Sequence, residues 1–116
     1  MPAVSNTSPV SNLAWIGRLN LLFNQFQEVW IPTAVETELQ NIPEGTVRKV
    51  IDEARGAGWL KLCTVSETAL VDLLHVGLHR GEAEGIALAL ELKADWLLID
   101  EREGPGMARE LGLSIT

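Results

Sequence analysis

Trp96-Leu97-Leu98-Ile99-Asp100 is the stretch on which the fold turns. Four consecutive apolar residues with no alternation read as a strand covered on both faces, as in parallel sheets. Asp100 follows directly, so its carboxylate belongs at the carboxyl-terminal mouth of that strand. Charge at such a place is costly unless it is paired, bound to a metal, or used to cap the next turn; this feature alone leaves those readings open. Just upstream, residues 81–93 are rich in Ala, Leu and Glu and predict a helix leading into the strand.

Working outward, the same alternation recurs. Val4-Ser5 reads as a first strand, and Ser8-Pro9 as the start of a helix, with Ser as cap and Pro in the first turn. Trp15, Leu19, Leu22 and Phe26 fall on one helical face, with a break at Gly17 near its beginning. Residues 28–31 form a second short strand. Pro32 opens a helix carrying Val35, Leu39 and Ile42, which Pro43 stops. Residues 44–58 place Val47, Val50, Ile51 and Ala54 at helical spacing before Gly56-Ala57-Gly58 ends them. A strand at 59–63, a helix at 67–76, and, beyond Asp100, a short helix at 107–111 and a strand at 113–115 complete the pattern. Strands alternating with helices predict an α/β sandwich on a mostly parallel sheet, and 116 residues suit one domain over 1–116. In such sheets functional groups gather beyond the carboxyl ends of the strands.

The composition, 47% hydrophobic and 22% charged, is that of a folded globular protein, and no apolar run approaches the roughly 20 residues that span a bilayer. No secretory signal is seen, and the single cysteine, Cys63, excludes an intramolecular disulfide or a Cys-based zinc site. We expect a cytoplasmic protein. Sixteen acidic against nine basic residues give a charge of −7, which opposes broad attraction to nucleic-acid phosphates, so any RNA contact must be local.

Three further acids stand out. On the helix after Pro32, Glu38 lies nearer the centre of the inward stripe than Glu36 and is expected to border the core. Glu82 and Glu84 open the Ala- and Leu-rich helix, where the macrodipole favours acids whatever their function. Glu84 shares a face with Glu91, which points it to solvent, whereas Glu82 lies with Ile86, so Glu82 is the preferred candidate. Acids brought together from separate elements repel one another unless a hard cation balances them. His75 and His79, four apart, have a zinc-compatible spacing but no supporting motif.

Val4-Ser5-Asn6-Thr7-Ser8-Pro9, Ile31-Pro32 with Glu38-Leu39, Gly81-Glu82-Ala83-Glu84, and Leu97-Leu98-Ile99-Asp100-Glu101-Arg102 together resemble the ordered motifs of PIN domains. The likeness is to the VapC-like branch with an Asp-Thr-Ser-Pro start and a Gly-Glu-Ala-Glu helix. It implies a Rossmann-like α/β/α domain that cleaves RNA with Mg²⁺ or Mn²⁺, commonly as a toxin paired with a small antitoxin. The implied catalytic and metal residues are Asn6, Glu38, Glu82 and Asp100. Thr7, Ser8, Glu84 and Glu101 would line the pocket, Glu103 being a weaker acid candidate, and Arg80 and Arg102 would contact RNA phosphates.

Two departures qualify this. Asn6 stands where the family has Asp, which keeps one oxygen ligand but loses a full charge, so metal binding and activity are expected to be weakened or lost. The alternative is a degenerate, non-catalytic domain that keeps an antitoxin- or self-binding surface. The family also continues beyond the segment matching residues 113–116, and that short end, with an apolar run at 86–90, predicts a homodimer.

Overall fold

The computed structural model describes residues 2–99. Its elements run β1 (Ala3–Ser5), α1 (Thr7–Trp15), α2 (Asn20–Phe26), β2 (Val29–Ile31), α3 (Thr33–Gln40), α4 (Thr46–Ala57), β3 (Leu60–Leu62), α5 (Thr68–His75), α6 (Arg80–Leu92) and β4 (Trp96–Leu98). The strands form one sheet in the order β3-β2-β1-β4, and every pairing is parallel. The predicted helix at 107–111 and strand at 113–115 lie outside the described residues.

Strands β1, β2 and β4 carry apolar side chains on both sides because both sides are covered, whereas the edge strand β3 carries Lys61 and exposes Leu62. Ala3, Val29, Ile31, Leu60 and Leu98 enter one core with residues of α1, α2, α3 and α4. Val4, Leu97 and Ile99 enter a second core with α5 and α6. The result is the three-layer α/β/α sandwich that the sequence predicts, with α1–α4 on one face and α5–α6 on the other.

Two expectations need correction. Trp15 does not continue the stripe of Leu19, Leu22 and Phe26. Gly17 takes φ 70°, which ends α1 and resets the helical phase, leaving Trp15 72% exposed while the other three are buried. The apolar run at 86–90 is not a surface seeking a partner either. Ile86, Ala87, Leu88 and Ala89 are fully buried, because α6 packs against the sheet, α3 and α5 at once. Among the described residues, no helix is long and apolar enough to cross a membrane.

Candidate active site

The chain leaves β1 for β2 and β3 on one side and returns to place β4 on the other, so the carboxyl ends of β1 and β4 flank the point where strand order reverses. Open α/β sheets bind ligands in that crevice. Asn6 stands there. Ser5 pairs with Leu98, and the Asn6 N–H donates to the Leu98 carbonyl at 2.9 Å.

Asn6 also occupies the N-cap of α1, in an extended conformation that suits a cap, yet its side chain makes no capping hydrogen bond. It is 5% exposed, and neither Oδ1 nor Nδ2 has a hydrogen-bond partner. The adjacent Thr7 Oγ1 is likewise buried without one. Three orphaned polar atoms on two neighbouring residues are unusual, since each costs about 1–3 kcal/mol if nothing satisfies it. Asn6 Oδ1 lies against Gly85 of α6, so close that a Cβ at that position would collide with it. Ser8 sits half-buried in the first turn of α1, its carbonyl accepting from the Ser11 hydroxyl at 3.3 Å.

One turn earlier on α6, Gly81 receives Glu38 from α3; a Cβ there would stand 2.6 Å from Glu38 Oε1. Gly81 and Gly85 share a face about 6 Å apart along the helix, so Glu38 and Asn6 address the same side of α6. Two glycines inside an Ala- and Leu-rich helix each cost about 1 kcal/mol relative to Ala, a signal of close approach that sequence reasoning passed over.

Helices α3 and α6 exchange carboxylates. Glu38 of α3 rests beside the second residue of α6, and Glu84 of α6 accepts the Ala34 N–H, in the first turn of α3, at 2.9 Å. Each acid meets the positive end of the other helix. Arg80 donates to Glu84 at 3.1 Å and lies 3.8 Å from Asp72, so its guanidinium is engaged within the fold.

The expectations for these acids are therefore partly reversed. Glu84, read as facing solvent, is only 9% exposed because α3 covers it. Glu38 is exposed and does not border the core, whereas Glu36 is half-buried and pairs with Arg55 at 2.8 Å. Glu82 is half-buried on α6. Glu91, read from the sequence as marking the solvent face, accepts the N–H groups of Ser66 and Glu67 at 2.7 and 2.6 Å, at the start of α5. Asp100, Glu101, Arg102 and Glu103 lie outside the described residues. His75 Nδ1 is 2.9 Å from the Leu78 carbonyl, and among the described residues no three His, Cys, Asp or Glu side chains group as a metal site.

The donor chemistry of the crevice nonetheless suits a hard divalent cation. Asn6 and Glu38, on the same side of α6, both offer oxygen, and the Asn6 amide oxygen is buried and unused.

No curated protein matches the chain. Residues 2–116 match the model of the DUF3368 family, described as a PIN domain. With a match across nearly the whole length and a parallel α/β sandwich to go with it, the chain belongs to the PIN-domain family.

Proposed function

We propose that this chain is a metal-dependent endoribonuclease of the VapC toxin type whose cation site is weakened by Asn6. PIN domains are generally divalent-metal-dependent nucleases, and membership supports that reading. The observation that carries it is the buried, unpartnered amide of Asn6 at the strand-order switch, facing the same side of α6 as Glu38. On this reading Asn6, Glu38, Glu82 and Asp100 hold Mg²⁺ or Mn²⁺. A bound cation would supply Lewis-acid polarisation of a phosphodiester oxygen and a more acidic water. Thr7, Ser8 and Glu101 line the pocket. Arg80, held by Glu84, stands at its rim and Arg102 follows Asp100, and both contact RNA phosphates as local positive points on an acidic protein.

The partners that go with this reading are RNA, a small antitoxin and a second copy of the chain. Exposed Trp15, Ile16, Leu21 and Phe23 on and beside α1 and α2 offer an apolar face for association.

RNA cleavage with Mn²⁺ is the test, comparing the protein as given, Asn6→Asp, and Asn6→Asp combined with Asp100→Asn. The first should cleave poorly, the second well, and the third not at all. Full activity of the first, or no gain in a folded, metal-binding Asn6→Asp, sinks the assignment of Asn6.

A second reading is a non-catalytic interaction module. The observation in its favour is that Glu84 is committed to Ala34 and Arg80, which leaves fewer free anionic donors. Saturable Mn²⁺ binding that depends on Asp100 supports the nuclease; its absence supports the module.

A further inference from the structure

The amide at position 6 differs from a carboxylate in more than charge. A carboxylate only accepts, whereas Asn6 carries two N–H donors on Nδ2 beside the acceptor Oδ1. Neither atom has a partner, and half a turn about χ2, which exchanges them, leaves one donor end and one acceptor end unsatisfied in either setting. A cation would satisfy Oδ1 and leave Nδ2 orphaned. An oxyanion would satisfy Nδ2 and leave Oδ1. The two together satisfy both.

The surroundings favour an oxyanion next to the cation. Asn6 caps a nine-residue helix without bonding to it, the first turn of α1 contains no acid, and its leading N–H groups have no intrahelical acceptor. Thr7 Oγ1, buried and unpartnered, adds a hydroxyl that can donate to the same anion. The chain's net charge of −7 and the nearby Glu38 would repel a phosphate arriving alone, so a cation on the acidic side must accompany it.

We propose that the Asn6 amide and the Thr7 hydroxyl, at the start of α1, form a phosphate seat that fills only together with the divalent cation. This rests on the cation reading above and adds a role for the chain's own residue: Asn6 exchanges metal affinity for a hydrogen bond to the phosphate oxygen of the substrate. Position 6 is then a specificity-determining residue, and the amide is not merely a damaged ligand.

The experiment is calorimetric titration of the full chain with inorganic phosphate, with and without saturating Mn²⁺, alongside Mn²⁺ titration alone. The protein as given should bind phosphate measurably only with Mn²⁺. Asn6→Asp should bind Mn²⁺ at least tenfold more tightly and phosphate roughly tenfold to a hundredfold more weakly, since a donor to a charged group is lost and repulsion gained. Thr7→Val, near in shape, should leave Mn²⁺ affinity unchanged and weaken phosphate roughly tenfold. Unchanged phosphate affinity in either variant overturns the seat. If no variant binds Mn²⁺, the cation reading falls separately. Phosphate titrated alone then decides: binding that Thr7→Val removes keeps the hydrogen-bonding seat but overturns its dependence on the cation, and no binding removes it.

Discussion

A single methyl group distinguishes the two glycines of α6. At Gly85 an added Cβ would strike Oδ1 of Asn6, whose backbone is fixed in the sheet register and whose side chain is buried, so it has nowhere to go. Gly85→Ala is expected to destabilise the fold by about 1–3 kcal/mol, the usual cost of overpacking. At Gly81 the obstacle is the far end of Glu38, an exposed and flexible side chain that swings aside cheaply. Gly81→Ala should therefore be neutral or stabilise by up to about 1 kcal/mol through helix propensity, while weakening Mn²⁺ binding by displacing Glu38. Chemical denaturation of the two variants checks the contrast; equal losses would mean that Asn6 is not confined. Far from the crevice, Lys61 sits 2.6 Å from Glu28 and holds its carboxyl below the usual value, chiefly by hydrogen bonding and then by charge. A lowered acid stabilises the fold above the ordinary carboxylate range and loses that contribution as pH falls through its own pKa. Because Glu28 is exposed and its pair with Lys61 is screened by solvent, Lys61→Met should leave the acid-denaturation midpoint almost unmoved.

At the scale of elements, α6 is a strut with two hands. Glu84 and Glu91, seven residues apart on one face, accept backbone N–H groups at the starts of two different helices, α3 and α5. Glu84→Ala should cost about 1–3 kcal/mol by uncapping α3 and leaving Arg80 with only the longer contact to Asp72, whereas Glu84→Gln, which keeps an acceptor, should recover much of it. Thermal unfolding distinguishes them, and equal losses would show that charge, not acceptance, matters. The shared face of these residues was visible in the sequence, but its meaning was not. On an isolated helix, acids in register point to water; only a contact across 50 residues turns one of them inward. Strand and helix order was legible within a residue or two because period and punctuation are local properties. Trp15 was misplaced because spacing alone does not say whether a helix runs through Gly17.

For the whole molecule, the distribution of charge matters more than its sum. The first 27 residues carry one charged side chain, the cationic Arg18, so the remainder carries −8 against the chain's −7. Trp15, Ile16, Leu21 and Phe23 are thus exposed where two acidic copies would meet with least repulsion. Sedimentation should find association at high micromolar concentration that Trp15→Glu abolishes; a monomer throughout would argue against a homodimer. Position 6 was legible as a candidate because a motif marked it, and the sheet topology sets it at the switch, whereas its orphaned amide emerged only with the packing of Gly85. The cap that α6 places on α3 also sets a timetable. A chain emerging from the ribosome exposes Ala34 long before Glu84 exists, so α3 is made without its cap and waits for α6 to be synthesised. A nascent chain ending before residue 84 should leave the Ala34 amide in fast exchange with solvent, and the finished protein should protect it until global unfolding.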